Sequence, residues 1–389
     1  MPRQDAARKG VLKITNQILA AWMALSVAVA AGAQTGTQTG AQTGAGSGAA
    51  PPKTQQQPAP PKTQQQPAPL QLQTLDQTTR PDPFPPVNPK FFTATSPTVD
   101  TVNAFIKAQW GFDPNRIWRV EAIQATPAPG VSKVVVFVTE KTANAKVQST
   151  VFFVTPDGKH AIADSSGVLP FGEKPFAEAR KKLQDGADGA SRGAANKDLL
   201  LVEFADLQCP HCKDAQATMD QLAKDFPNAR IVFQSFPLVE LHPFAFKAAA
   251  YGYCITKQKN DAFFTFASAV FDAQSALTPE TGDQTLKDAV TKAGLDPAAI
   301  DACAATQATK DAVNASIKLG QDVGVDQTPV LAVNGRLLPL SQVSNQPSSP
   351  FTYEMLKTII SFQAVQDGVT TGASSSLGGT LRTVPTLGK

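Results

Sequence analysis

Two cysteines three apart, in 203-EFADLQCPHCKDAQATMDQL-222, hold the clearest chemical potential in this chain. Of its four cysteines only Cys209 and Cys212 form a close pair; Cys254 and Cys303 stand isolated. Such a pair serves as a redox dithiol, as half of a zinc site, or as two inert core thiols. A structural zinc site takes four ligands, usually from two close pairs. The second pair is missing, and His211, lying between the cysteines, is poorly placed to complete a tetrahedron with both. The redox reading has local geometry behind it. Cys209 stands where an apolar strand ends and a helix begins, with Pro210 at the first helical position, where a missing N–H costs nothing. A helix N-terminus offers free N–H groups and partial positive charge, which stabilise a thiolate at Cys209. A protonated or polarised His211 adds to this, so His211→Ala is expected to raise the pKa of Cys209. Cys212, further along and on the apolar face, is expected to be shielded and to act as the resolving thiol. A stabilised thiolate favours the dithiol form, which makes the disulfide form an oxidant.

The surrounding elements must hold this pair. LLLVEFADL reads as a buried strand running into the cysteines, and Cys212, Ala215, Met219, Leu222 and Phe226 recur at helical spacing after Pro210. RIVFQSFPL reads as a second strand, several helices fill residues 242–323, and TPVLAVNGRLLPL reads as a hairpin turning at Asn334-Gly335. A helix over Tyr353–Phe362 closes an α/β layout around a mixed sheet, spanning about 190–367. Ahead of it, residues 93–185 read as a small α+β domain. SPTVDTVNAFIKAQWG is a capped helix with Val102, Phe105, Ile106 and Trp110 on one face. Three strand-like runs follow, IWRVEAIQA, KVVVFVTE and STVFFVTPDGKHAIA, then a helix around Phe176–Leu183 and a loop, DGADGASRGAANKD.

These motifs carry a resemblance. VEF-D-QCP-C, a HP-A-AA segment and TP before an NG hairpin stand here as 202-VEFADLQCPHC-212, 242-HPFAFKAAA-250 and 328-TPVLAVNG-335. The chain from about 198 to 367 thus resembles the exported DsbA-like thiol–disulfide oxidoreductases of the thioredoxin fold. The resemblance implies a thioredoxin-like α/β fold with a helical insertion. It implies a cis peptide before Pro329, facing the cysteines and helping to hold a substrate strand, with Thr328 tuning the redox poise. It also implies that Glu203, buried under the dithiol, assists proton movement. The bland alternatives are a strand-end glutamate reaching solvent and an ordinary turn at Thr328-Pro329. His242 is expected to be structural rather than catalytic. Relatives often carry a second, bonded pair in the insertion, which implies a structural disulfide between Cys254 and Cys303. The small domain resembles, faintly and through FFVTPDGKHAIAD alone, the dimerising N-terminal domains of DsbC-type isomerases. The alternative is an extension that shields or positions the catalytic domain.

The N-terminus speaks for export. MPRQDAARKGVLK leads into ILAAWMALSVAVAA and Ala31-Gly32-Ala33, the n-region, h-region and small-residue site of a secretory signal, so residues 1–33 are expected to be cleaved before Gln34. The alternative, an uncleaved anchor, has an apolar run short of the ~20 residues that span a bilayer. Arg3, Arg8, Lys9 and Lys13 against Asp5 carry the whole net charge of +3, leaving the rest near zero. That balance offers no field for nucleic acid or an anionic membrane surface. Residues 34–92, with PPKTQQQPA repeated at 51–59 and 60–68, read as a disordered Pro/Gln/Gly-rich spacer, and 368–389 as a disordered tail.

The expected protein is a periplasmic or otherwise exported thiol–disulfide oxidoreductase that needs no cofactor or metal. Its partners would be cysteine-containing exported proteins in the course of folding and a membrane redox partner that reoxidises the dithiol. A monomer is expected, with a dimer as the alternative. Two other readings stand beside it: an isomerase or reductase with a dimerising N-terminal domain, and a peptide-binding chaperone with an idle dithiol.

Overall fold

The computed structural model describes residues 82–142, 144–163, 167–344, 349 and 351–369. The expected signal segment, residues 34–81 of the spacer and residues 370–389 of the tail lie outside the described residues. Two five-stranded sheets organise the chain. The first is an antiparallel meander of β1 (Arg116–Ala125), β2 (Ser132–Glu140), β3 (Gln148–Val154), β4 (His160–Ala163) and β5 (Gly167–Pro170), in that order. Helix α1 (Val99–Trp110), capped by the Thr98 hydroxyl, lays Val102, Phe105, Ile106 and Trp110 against one face. Val134, Val136, Val138, Phe152 and Val154 meet it from the sheet, as the alternation of a one-sided sheet requires. β5 pairs with β4 as a short edge strand that the sequence pattern did not reveal.

The beginning of the described chain corrects the spacer's expected boundary at residue 92. Arg119 gathers the segment at Asp82–Phe84: its guanidinium pairs with Asp82 at 2.7 Å, donates to the Pro85 carbonyl, and sits 5.0 Å from the Phe84 ring. Phe84 packs on Phe137, and Phe92 bridges to Ile123. A proline-rich segment builds no core of its own, yet one half-buried arginine and one aromatic suffice to lay it on a neighbouring sheet.

The second sheet runs β10-β9-β7-β8-β6, from β6 (Ala190–Gly193), β7 (Leu200–Ala205), β8 (Arg230–Ser235), β9 (Val330–Val333) and β10 (Arg336–Pro339). β7 and β8 are parallel and the other pairs antiparallel. Every residue of the central β7 is buried, because helices cover both sides. On one side α3 (Pro210–Asp225) and α9 (Tyr353–Gln366) cover Leu199, Leu201, Ile231, Leu331 and Val333. On the other, α2 (Ala177–Gly186) and α8 (Gln307–Asp322) cover Leu200, Val202, Phe204 and Val232. The insertion adds α4 (Ala245–Gln258), α5 (Ala262–Asp272), α6 (Gly282–Lys292) and α7 (Pro297–Ala304), whose core reaches Cys209 and Cys212.

Two sequence expectations shift here. The helix at 176–183, read as part of the small domain, buries Leu183 in the core of the second sheet. The stretch read as a loop at 185–198 holds β6, which pairs with β8 at the sheet edge. Neither has a local signal: Leu183 is the one fully buried side chain of a polar helix, and β6 is only four residues of small and charged types.

The two sheets are joined by Arg336 at the foot of the Asn334-Gly335 hairpin. Its buried guanidinium donates to the Ala108 and Gln109 carbonyls at the C-terminal end of α1, to Gln363 Oε1 at 3.1 Å, and lies 4.4 Å over the Phe176 ring. The last-turn carbonyls of a helix lack internal partners, so an arginine there satisfies groups that burial would otherwise orphan. Gly335, at φ 93°, turns the hairpin where a Cβ would strike the Phe176 carbonyl at 2.5 Å.

Candidate active site

Cys209 is the N-cap of α3, in extended conformation, with Pro210 at the first helical position. The parallel pairing of β7 with β8 carries the chain up to Asp206, and a short turn then delivers Cys209 to the helix end: Cys209 N donates to the Asp206 carbonyl at 3.0 Å, and the Cys209 carbonyl accepts from Cys212 N at 3.1 Å. Both cysteines are free thiols, Cys209 4% exposed and Cys212 wholly buried, while Pro210 and His211 lie on the surface.

The electrostatics separate the two sulfurs. The Cys209 thiol is lowered to about 5, chiefly by its hydrogen bond to the Cys212 thiol, against the cost of burial; the Thr328 side chain and the backbone N–H groups of Cys212 and His211 add to the lowering. Cys212 is pushed far up, first by burial and then by the neighbouring Cys209 sulfur, with the Asp206 N–H opposing. The first to ionise takes the helix-end donors, and the second must then ionise beside a charge. The stabilisation from His211 comes through its backbone N–H; no bond of its exposed ring to Cys209 is recorded among the described residues.

Thr328 and Pro329 close the site from the opposite side, and the peptide between them is cis. Cys209 Sγ approaches the Thr328 carbonyl at 3.8 Å. Among the described residues the buried Thr328 hydroxyl has no oxygen or nitrogen partner, which leaves its proton for the sulfurs it faces. Leu340 N donates to the Pro329 carbonyl at 3.1 Å and ties this turn to the end of the β9–β10 hairpin.

Glu203 lies beneath the pair. Strand alternation sends Leu201 and Glu203 to the face covered by α3, so the carboxyl is buried at the dithiol helix rather than in solvent. Burial raises it to about 7, against a hydrogen bond from Gln216 Nε2 at 2.8 Å. The same amide also donates to the Cys212 carbonyl at 2.9 Å, so Gln216 links the carboxyl to the helix turn that carries the second sulfur.

Four polar residues at the site escaped sequence reasoning: Asp206, Gln208, Gln216 and Gln274. Gln274 Nε2 donates to the Leu207 and Cys209 carbonyls, and Gln208 bonds Leu277 O and Phe244 N, so the helical insertion clasps the active-site turn. Asp206 and Gln208 were within reach, since both stand in the quoted VEF-D-QCP-C pattern. Gln216 and Gln274 had no local signal. Asp206 accepts from His242 Nδ1 at 2.8 Å, so His242, expected to be structural, sits in contact with the turn before Cys209.

Cys254 in α4 and Cys303 in α7 are joined by a disulfide across a sequence separation of 49. The bond ties two insertion helices, within the same core cluster that reaches Cys209 and Cys212. The Thr309 hydroxyl flanks it, 3.5 Å from Cys254 Sγ and 3.7 Å from Cys303 Sγ. Closing a loop of this length contributes up to about 4 kcal/mol of chain entropy. Replacing both residues with alanine is therefore expected to lower the melting temperature by on the order of 10 °C, with exchange at Cys209/Cys212 largely intact. Loss of exchange in a folded double variant would place this pair in the electron path.

Fold and site together define a thioredoxin-fold domain with a helical insertion and a CPHC dithiol. Residues 187–361 match the family model described as thioredoxin, in line with the resemblance of this domain to the DsbA-like proteins. Similar solved structures include a periplasmic thioredoxin-like protein from Salmonella enterica serovar Typhimurium (18% identical, TM-score 0.39, covering 48% of this chain and 97% of that one). Others are the thiol-disulfide exchange protein alpha-DsbA2 from Wolbachia pipientis (21%, 0.38, covering 47% and 94%) and BdbD from Bacillus subtilis (18%, 0.39, covering 46% and 93%). Among curated proteins, a Na(+)/H(+) antiporter NhaA 1 of Salinispora arenicola is 38% identical over 58 residues, 15% of this chain and 9% of that protein. An NhaA 3 of Salinispora tropica is 31% identical over 88 residues, 23% of this chain and 13% of that protein. The chain thus spans about a tenth of the length of these curated relatives.

Proposed function

We propose that the protein is an exported thiol–disulfide oxidoreductase that forms disulfide bonds in client proteins. The observation that carries this is the split between the two sulfurs: Cys209 with its pKa lowered to about 5 at the helix end, and its partner Cys212 buried and kept protonated. In the oxidising direction a client thiolate attacks Cys209 of the Cys209–Cys212 disulfide. Cys212 leaves with the electron pair and takes a proton. A second client thiolate then attacks the client sulfur of the mixed disulfide and expels Cys209 as a thiolate. The client gains a disulfide, the protein ends as a dithiol, and a membrane redox partner takes up the two electrons. Glu203, with its raised pKa and its link through Gln216 to the helix turn of Cys212, is a buried group able to carry the proton that Cys212 gains and loses. The secretory signal expected from the sequence of residues 1–33 supports export to a compartment where disulfides persist.

A second reading, a disulfide isomerase paired through the N-terminal domain, draws support from one feature. The sheet face opposite α1 exposes Val151, Phe153, Ile162 and Val168, and register sets the last three side by side across β3, β4 and β5. The state of the dithiol in living cells separates the readings. Alkylation trapping should find Cys209 and Cys212 mostly oxidised; a mostly reduced pair in a dimeric protein would favour the isomerase.

A further inference from the structure

The carboxylate of Asp206 is completely buried, three residues before the reactive cysteine, and takes no part in the chemistry described above. It accepts three hydrogen bonds: from Gln208 N at 2.8 Å, from Leu238 N at 2.9 Å and from His242 Nδ1 at 2.8 Å. Two of these donors come from the segment after β8, so the carboxylate fastens that segment to the active-site turn. The backbone of Asp206 meanwhile touches both cysteines. Its carbonyl accepts from Cys209 N at 3.0 Å, and its N–H points at Cys212 Sγ from 3.4 Å. A buried carboxylate needs every one of its donors, because nothing else compensates the loss of water. Its side chain therefore sets where its own peptide group stands.

We propose that the Asp206–His242 pair is a positioning device for the resolving thiol, holding the Asp206 N–H against Cys212 Sγ as that sulfur acquires charge. The inference rests on the redox function proposed above. With glutathione disulfide as oxidant, the Cys209 thiolate attacks one glutathione sulfur, the S–S bond breaks, and one glutathione thiolate leaves. Cys212 then gives up its proton and attacks Cys209 Sγ. The Cys209–glutathione bond breaks, and the second glutathione thiolate leaves and is protonated. Two protein thiols have been oxidised, and one glutathione disulfide has become two glutathiones. Negative charge appears on Cys212 only in the second step, where the Asp206 N–H faces it. A hydrogen bond to a charged sulfur is stronger than one to a thiol, so the pair lowers the barrier to that step selectively. His242 does not touch either sulfur; it acts through Asp206.

The test is stopped-flow oxidation of the reduced protein by glutathione disulfide, following the second-order attack and the first-order release of the second glutathione separately. His242→Ala is expected to slow resolution about tenfold, the factor set by one charge-assisted hydrogen bond, and to change the attack rate less than twofold. His242→Asn, whose amide nitrogen can stand where Nδ1 stands, should restore resolution to within about threefold of wild type. Asp206→Asn provides a second route if the alanine variant does not fold. It keeps the volume but one acceptor oxygen, and should slow resolution by a similar factor. Resolution at the wild-type rate in a folded His242→Ala or Asp206→Asn protein would overturn the proposal. So would equal slowing of both steps, or asparagine at 242 behaving as alanine does. A wild-type protein inert to glutathione disulfide would instead sink the redox function itself.

Discussion

A Cys212→Ser protein is expected to stall as a mixed disulfide on Cys209, and a Cys209→Ser protein to lose exchange to the level of buffer. The asymmetry follows from where the two sulfurs stand. With a pKa of about 5, Cys209 is almost fully ionised at pH 7, whereas an ordinary thiol near 8.5 is ionised to about 3%. That is a gain of roughly 30-fold in attacking species, but intrinsic nucleophilicity falls with pKa by a comparable factor at a Brønsted slope near 0.45. The two nearly cancel. What the low pKa adds is departure: Cys209 leaves a mixed disulfide readily, so a client that supplies the second thiolate walks away with the bond. Without Cys212 no internal disulfide can start the cycle, and a thiolate on Cys209 that has captured a partner has no neighbour to release it. Non-reducing electrophoresis of the Cys212→Ser protein, purified from an oxidising compartment, should show adducts that dithiothreitol removes. An unadducted Cys212→Ser protein, or exchange surviving in Cys209→Ser, would reverse the assignment of the two roles.

The stability of the reduced protein should rise with pH relative to the oxidised one. Cys209 is an acid whose folded pKa, about 5, lies below its unfolded value of about 8.5. Between those limits the unfolded dithiol holds a proton that the folded one has released, so stability rises with pH and is lost as pH falls through 5. At pH 7 the contribution is about 3 kcal/mol. The disulfide form has no such group. Glu203 acts with the opposite sign. Its folded pKa of about 7 lies above the ordinary carboxyl value, so its contribution is whole below about 4.5 and fades as pH rises to 7, by roughly 3 kcal/mol. It is present in both redox forms and drops out of their difference. Denaturant unfolding of both forms at pH 5 and pH 7 should therefore show the reduced form gaining about 2 kcal/mol on the oxidised one at the higher pH, and parallel curves would sink this account. Thiolate absorbance should place the Cys209 transition near 5. His211→Ala keeps the backbone N–H that bonds the sulfur, so most of the lowering should survive it, although the sequence reading expected the ring to add to the helix end; a return towards about 8.5 would assign the effect to the imidazole.

Much of this site was legible before any coordinates. Cys209 and Cys212 announce themselves because a strand, a proline and an apolar helical face are all local patterns, and a helix N-terminus stabilises a thiolate whatever surrounds it. Thr328 and Pro329 were reachable through motif resemblance, although 119 residues separate Thr328 from Cys209, whose sulfur its carbonyl meets. The burial of Glu203 under α3 needed the sheet itself, since alternation names a face but not what covers it. The acidic Asp206 shows nothing in sequence of its three donors, two of which arrive from residues 238 and 242 on another loop. Gln274 is likewise an ordinary polar residue until the insertion folds back over the Cys209 carbonyl. The division has one physical reason. Helix ends, turns and amphipathic faces are set by interactions within a few residues, and sequence displays them directly. Hydrogen bonds to buried polar groups join distant segments, and only the packed chain decides which donor meets which acceptor.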